Sequence, residues 1–126
     1  MTNNKYSASL MNNTKWREVL LLTSHFYPTF EVAYTEREKF QSARSPEPKM
    51  LKTTYIDDPG IAGGPAEYKD IYAVRFPIFH NIRNPITGVT TKNKSIYEEF
   101  ILALKSLGSI PITEIDEYIY IFGYQR

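Results

Sequence analysis

Two stretches of the chain repeat apolar residues three and four positions apart, which is the spacing of an amphipathic helix. The first predicts a helix over residues 14–24, with Asn13 or Thr14 as its cap. The second predicts a helix that begins at Ser95, where the serine and the glutamate three residues later fit a capping box, and that stops at Gly108. The side chains of the two helices that are expected to be buried against the sheet are Trp16, Leu20, Phe100, Ile101 and Leu104.

Four further stretches predict β-strands, because apolar and polar residues alternate or because β-branched and aromatic residues are frequent. The predicted strands cover residues 29–35, 50–56, 68–76 and 117–124. The residues expected to supply the buried sheet face are Phe30, Val32, Ile119 and Ile121. Prolines and turn dipeptides predict irregular loops over residues 36–49 and 77–94.

The resulting order is α-β-β-β-α-β, and it predicts the α+β fold class. We expect an antiparallel sheet of about four strands with two helices packed on one face, because the sheet is the only surface that can bury both helical stripes. Residues 50–56 and 68–76 are expected to pair as a hairpin. Residues 1–12 are expected to be a disordered lead, and residues 13–126 a single domain.

The composition excludes several classes of site. The chain of 126 residues has no cysteine, which excludes disulfides, cysteine-based zinc sites and thiol chemistry. Its ten tyrosines favour half-exposed sheet surfaces and interfaces, because tyrosine combines an apolar ring with a hydroxyl. No apolar signal segment or long apolar run is visible, so a cytoplasmic location without a membrane partner is expected.

The charge is nearly balanced but unevenly distributed. The net charge is +1, with an excess of cations in residues 1–54 and an excess of carboxylates in residues 95–126. General nucleic-acid binders carry a larger basic excess, because phosphate neutralisation supplies much of their affinity. Nucleic-acid binding is therefore not the favoured function.

Catalytic and cofactor motifs are not found. The two histidines, His25 and His80, have no metal-binding or catalytic spacing. The Pro/Gly loop over residues 59–65 lacks the Lys-Ser/Thr of a phosphate-binding loop. The sequence predicts no metal and no cofactor, and it gives little support to enzymatic activity.

The order α-β-β-β-α resembles the double-stranded-RNA-binding fold. Lys92 and Lys94 lie near the place where that fold positions its phosphate-binding lysines. However, Tyr97, Glu98 and Glu99 stand where that family has lysines and small residues, and they would meet the phosphates. RNA binding stays an alternative.

Two segments resemble an uncharacterised family of small bacterial proteins. They are Asn-Thr-Lys-Trp over residues 13–16, within a first helix, and Gly-Pro-x-x-Tyr-Lys-x-Ile over residues 64–71, at a strand entry. The chain departs from that family at Tyr72 and Ala73, where Glu-Trp is expected. The resemblance implies a bacterial cytosolic setting and no mechanism.

The favoured hypothesis is a non-catalytic bacterial binding protein, in the manner of an immunity protein that neutralises a toxin by blocking its active surface. The expected binding edge consists of Asp57, Asp58, Glu67, Tyr68 and Asp70. Its carboxylates would face a basic cleft and the tyrosine would anchor the partner. Aspartates before Pro-Gly are also common in ordinary turns, so Asp57 and Asp58 have an alternative structural role. The sequence does not decide whether the protein forms homo-oligomers.

A second hypothesis from another class is a small-molecule-binding or enzymatic domain that uses the loop over residues 78–94. That loop carries Phe79, His80, Asn81 and Arg83. A pocket lined by the histidine and the arginine would be able to hold an anion or a metal, and this hypothesis requires that both side chains face one cavity.

Overall fold

A computed structural model describes residues 5–59 and 64–126, and within them it shows two helices and eleven short strands. The elements are β1 (Ala8–Ser9), α1 (Asn13–Phe26), β2 (Thr29–Tyr34), β3 (Gln41–Arg44), β4 (Tyr55–Ile56), β5 (Ala66–Glu67), β6 (Ile71–Pro77), β7 (His80–Arg83), β8 (Thr90–Asn93), α2 (Ser95–Ser106), β9 (Ile112–Ile115), β10 (Tyr118–Phe122) and β11 (Tyr124–Gln125). The main sheet is antiparallel, in the order β3-β2-β6-β10-β9, and the pairs β1–β11, β4–β5 and β7–β8 stand beside it. The predicted α+β class is confirmed, with five strands in the main sheet.

Both helices form at the predicted places, but their caps differ from the prediction. Asn12 caps α1 in place of Asn13 or Thr14, because its side chain accepts a hydrogen bond of 2.8 Å from the amide of Lys15. The helix therefore begins at Asn13, one residue earlier than expected. At α2 the side chain of Asn93 accepts from both the amide and the hydroxyl of Ser95. The predicted capping box is therefore wrong, because Ser95 is the first residue of the helix and its hydroxyl donates to Asn93, while the N-cap position is Lys94. Gly108, with φ of +100°, follows the end of α2 as predicted.

One core lies between the two helices and one face of the main sheet. The predicted core residues Trp16, Leu20, Phe100, Leu104, Phe30, Val32, Ile119 and Ile121 are all buried. The rings of Phe76 in the central strand and Phe100 in α2 are 4.9 Å apart between centroids. Ile101 is only half-buried and packs at the edge of this core, which differs from the prediction.

The central strand β6 contains a β-bulge. Ala33 pairs with Ala73 while Tyr34 pairs with Ile71, so Tyr72 has no partner of its own in β2. The extra residue lets Ile71 and Val74 both be buried in the core. The ring of Tyr72 instead meets the ring of Phe122.

Gly123, between β10 and β11, packs directly against this bulge. Its amide donates a hydrogen bond of 2.6 Å to the carbonyl of Tyr72. A Cβ at this position would lie 2.5 Å from the backbone oxygen of Ile71 and 3.2 Å from the Trp16 ring. The close approach of two backbones therefore requires glycine here.

The variant Gly123→Ala is expected to lower the free energy of unfolding by about 3 kcal/mol, at the upper end of the usual cost of overpacking. The reason is that a backbone carbonyl and a buried indole ring both resist displacement. Urea denaturation measures the loss. The exposed substitution Ser109→Ala is the control, with an expected change within about 0.5 kcal/mol. A Gly123→Ala variant as stable as that control contradicts the proposed packing.

Several predicted strands and loops are wrong. Residues 36–49 contain β3, whose pattern is weak because only Ala43 is buried in this edge strand. In residues 50–56 only Tyr55–Ile56 form a strand, and they pair with β5 rather than with residues 68–76. The expected loop over residues 77–94 contains the hairpin β7–β8. Edge strand β9 was also missed.

The N-terminal segment packs against the domain from residue 5 onward. Ala8–Ser9 pairs with β11, and Met11 is buried in the core. Residues 5–12, expected to be a disordered lead, therefore contribute to the fold. Residues 1–4 of that lead, and residues 60–63 of the Pro/Gly loop, lie outside the described residues. Neither helix in the described part of the chain is long and apolar enough to cross a membrane.

Candidate functional site

The sheet face opposite the helices carries a continuous layer of half-buried aromatic rings around one arginine. We call this surface the tyrosine face. It consists of Tyr6, Phe40, Tyr72, Arg75, Tyr118, Tyr120, Phe122 and Tyr124. Neighbouring rings contact one another from strand β10 to the N-terminal segment, so the layer is one surface rather than scattered side chains.

Strand β10 supplies the centre of the tyrosine face. Successive side chains of a strand point to opposite sides of the sheet, so Ile119 and Ile121 enter the core while Tyr118, Tyr120 and Phe122 face away from the helices. The rings of Tyr120 and Phe122 stack with centroids 5.4 Å apart and planes only 5° from parallel. The alternation recognised in the sequence therefore produces this part of the surface directly.

The bulge in β6 extends the layer toward the N-terminus. The ring of Tyr72 lies 5.7 Å from that of Phe122 and 5.6 Å from that of Tyr6. The ring of Tyr6 in turn stacks on Tyr124 at 4.7 Å. Without the extra residue in β6, strict alternation would direct Tyr72 into the core.

Arg75 is fixed at the middle of the face. Its Nε and Nη2 donate to the two carboxylate oxygens of Glu31 at 2.9 and 3.1 Å, and its Nη1 donates to the hydroxyl of Tyr120 at 3.0 Å. The guanidinium lies 4.3 Å from the ring centroid of Phe40 and 4.7 Å from that of Tyr118. The hydrogen bonds to Glu31 raise the pKa of Arg75 further above its usual range. The arginine is therefore held in one orientation, with its charge largely balanced.

A polar cluster holds the N-terminal end of the face in place. The hydroxyl of Tyr6 donates a hydrogen bond to the carboxylate of Glu38, and Lys5 and Arg126 both form ion pairs with the same carboxylate. Glu38 lies in the β2–β3 connection, and its side chain is only 15% exposed. Burial raises the pKa of Tyr6. The cluster thus connects residues near both ends of the chain and positions the Tyr6 ring.

The four carboxylates predicted as a binding edge are all exposed: Asp57, Asp58, Glu67 and Asp70. Glu67 lies opposite Tyr55 in the β4–β5 pair, beside the strand that leads to Asp57. Asp58 lines one cavity, with Arg44 and Met50 among its neighbours, while Asp70 lines others. Their role in binding a partner stays a prediction.

Tyr68, predicted to anchor a partner, is a core residue. Its side chain has no exposed surface, because the residue lies in a 3-10 turn before β6 rather than on a strand face. Its hydroxyl donates a hydrogen bond of 2.7 Å to the carbonyl of Lys52. The predicted anchoring role requires surface that this ring does not have.

An open cavity of about 790 Å³ lies beside Asp70, with Tyr34, Glu36 and Arg37 in its wall. Burial and the neighbouring Asp70 raise the pKa of Tyr34 to about 12, so this phenol stays protonated at neutral pH. Among the described residues that line this cavity, Glu36 and Asp70 are anionic and Arg37 is cationic. Across residues 5–59 and 64–126, no three His, Asp or Glu side chains come together in a way that would hold a metal ion.

The alternative site at residues 78–94 does not bring its two key side chains together. The ring of His80 packs 5.4 Å from that of Tyr27, and its buried Nδ1 has no hydrogen-bond partner. Arg83 is exposed three residues further along β7, on the opposite side of the strand. The geometry gives no shared cavity for an anion or a metal.

Comparisons with protein families, with curated proteins and with solved structures find no match for this chain. The resemblance of residues 13–16 and 64–71 to a bacterial family therefore stays a prediction.

Proposed function

We propose that this protein is a non-catalytic binding protein that recognises a protein partner through the tyrosine face. The observation that carries the proposal is the continuous aromatic layer around Arg75, on the sheet face that the helices leave open. In its specific form, the protein is a bacterial immunity protein in the cytoplasm, which blocks the active surface of a toxin.

The chemistry of the tyrosine face is that of an energetically important interface. Tyrosine and arginine are enriched among the residues whose truncation costs most binding energy. The rings of Tyr120, Phe122 and Tyr72 are already held by their neighbours, so a partner orders few side chains on binding. The phenolic hydroxyls at the surface provide hydrogen bonds around an apolar centre.

A protein partner fits this surface better than RNA, the alternative kept from the sequence. Aromatic rings on a sheet also stack on unpaired bases, but such sites combine the rings with cations that are free to meet phosphates. Here both carboxylate oxygens of Glu31 accept from Arg75, and Glu38 pairs with Lys5 and Arg126. The central cation of the face, Arg75, is thus paired within the protein, and Lys5 and Arg126 share the one carboxylate of Glu38.

An immunity function requires only tight and specific binding, so it is compatible with a surface that has no activated group. The exposed carboxylates Asp57, Asp58, Glu67 and Asp70 remain in the proposal as contacts with a basic toxin cleft. They would add association rate and specificity, while the aromatic layer would supply most of the binding energy.

The experiment is capture of the partner from the native host with tagged protein, identified by mass spectrometry. We expect a protein that the wild type and the Tyr97→Ala variant retain and that Tyr118→Ala loses, because Tyr97 is likewise half-buried but lies on α2, outside the tyrosine face. Co-expression should protect cells from that protein. If only abundant housekeeping proteins are captured and no neighbouring gene encodes a toxin, the immunity proposal fails.

A further inference from the structure

The hairpin β7–β8 is exposed beyond its first pair of residues and has an apolar tip. All residues from 81 to 92 are exposed. Three of the six large hydrophobic side chains exposed in the described part of the chain lie here: Ile82 is 51%, Ile86 93% and Val89 56% exposed. The tyrosine face does not include this hairpin, so its apolar surface needs a separate explanation.

The backbone amide donors of the hairpin tip are paired within the tip. The amides of Ile86 and Thr87 donate to the side-chain oxygen of Asn84 at 2.8 and 3.2 Å. The amide of Asn84 donates to Val89 and that of Gly88 donates to Asn84, both at 2.8 Å. The amide of Val89 donates to the hydroxyl of Thr87 at 3.2 Å. Position 85 is a proline and has no amide donor. Every other amide from residue 84 to residue 89 therefore donates to an acceptor within the tip.

This internal pairing has a specific consequence. In water, loop amides are satisfied by solvent, whereas in apolar surroundings each unpaired amide is costly. A tip whose amide donors are paired internally avoids that cost for its N–H groups when it enters a water-poor environment. The positive φ of Gly88, +73°, allows the tight turn that makes the pairing possible.

The hairpin sequence carries cations and no carboxylate. No Asp or Glu occurs between Asp70 and Glu98 in the sequence. The guanidinium of Arg83 reaches the tip, since its Nη2 lies 3.7 Å from the position that a Cβ on Gly88 would take. Lys92 lies toward the base and pairs with Glu117 at 2.6 Å. A cation therefore stands beside the apolar side chains of the tip.

We propose that the β7–β8 hairpin is a membrane-surface anchor, whose tip inserts Ile86 and Val89 into the boundary between headgroups and acyl chains of an anionic phospholipid bilayer. Arg83, whose guanidinium lies beside Gly88 at the tip, would meet the lipid phosphates, while the base of the hairpin with Lys92 and Glu117 would stay in water. An apolar tip with an adjacent cation fits the headgroup boundary of an anionic bilayer, where apolar and cationic groups are both stabilised. The sequence predicted no membrane partner because this hairpin is neither a long apolar span nor a signal segment. This inference is independent of the proposed protein partner.

The absence of native cysteine permits a direct test on the full chain. Ile86→Cys is labelled with a polarity-sensitive fluorophore and mixed with vesicles of phosphatidylcholine, alone or with an equal part of phosphatidylglycerol. We expect a shift of the emission to shorter wavelength with the phosphatidylglycerol vesicles, weakened by added salt. Leu102→Cys is the matched control, because Leu102 is 68% exposed on α2, away from the hairpin, and its emission should not change.

Vesicle sedimentation with unlabelled protein provides the quantitative arm. Ile86→Asp should lower partitioning about tenfold or more, because the isoleucine no longer leaves water. Arg83→Gln should lower it about fivefold on the anionic vesicles only. Leu102→Asp should bind like the wild type. The proposal is overturned if the wild type does not bind anionic vesicles, if Ile86→Asp binds equally well, or if only a protein partner shifts the probe. Vesicle binding tests the membrane proposal, and loss of the partner by Tyr118→Ala tests the protein-binding proposal. Because the two measurements are independent, either proposal can fail without the other.

Discussion

Truncation of Phe100 to alanine is expected to lower the free energy of unfolding by about 3–5 kcal/mol, much of the stability of a small domain. The side chain is fully buried, and its ring contacts those of Phe26, Tyr27 and Phe76 at centroid distances between 4.9 and 5.5 Å. It therefore joins α1, α2 and the central strand in one cluster, and its removal leaves a cavity that none of these elements can fill by a small shift. Chemical denaturation of the variant measures the loss.

The half-buried neighbour Ile101 on the same helix is the matched control for Phe100→Ala. Ile101→Ala should cost clearly less, because the side chain already contacts water at the edge of the core. A loss below about 1 kcal/mol for Phe100→Ala would mean that α2 does not pack on the sheet as described.

The second large effect concerns binding. Once the partner is identified, Tyr120→Ala is expected to weaken its affinity by roughly 30- to 1,000-fold, the range of an interface hot spot. Tyr120 stacks on Phe122, meets Phe40 edge-on and accepts a hydrogen bond from Arg75, so its loss disturbs the centre of the tyrosine face. Titration calorimetry measures the change.

Two controls separate binding from folding in the Tyr120 experiment. Tyr120→Phe retains the ring and should bind within about tenfold of the wild type, since it loses only the hydrogen bond from Arg75. Urea denaturation of Tyr120→Ala should show a folded protein. Unchanged affinity of the folded alanine variant would show that the partner binds elsewhere.

The elements with a regular hydrophobic pattern were predictable from the sequence. Both helices, β2 and β10 present apolar residues to one core at their natural spacing, so pattern and structure agree there. Edge strands β3 and β9 were missed because each has one side in water and few buried side chains. A strand at the sheet edge is held mainly by backbone hydrogen bonds to one neighbour. Its sequence therefore shows no clear alternation of apolar and polar residues.

The candidate site was predictable only in part. The alternation over residues 117–124 indicated a strand with a tyrosine side, and the ten tyrosines indicated half-exposed surfaces. The bulge that turns Tyr72 to that side depends on pairing with a distant strand, and so does the approach of Phe40 to Arg75. Tyr68 was misplaced because a continuous strand was assumed where the chain forms a 3-10 turn.

The most direct test of the proposed binding surface is tyrosine-specific chemical modification of the protein, alone and in complex with the captured partner, read by peptide mass spectrometry. Tyr97, half-buried on α2 and outside the tyrosine face, is an internal control in the same chain. We predict that the partner protects Tyr118, Tyr120 and Tyr72 while the reactivity of Tyr97 does not change. Tyrosines of the face that react equally with and without the bound partner would contradict the proposal.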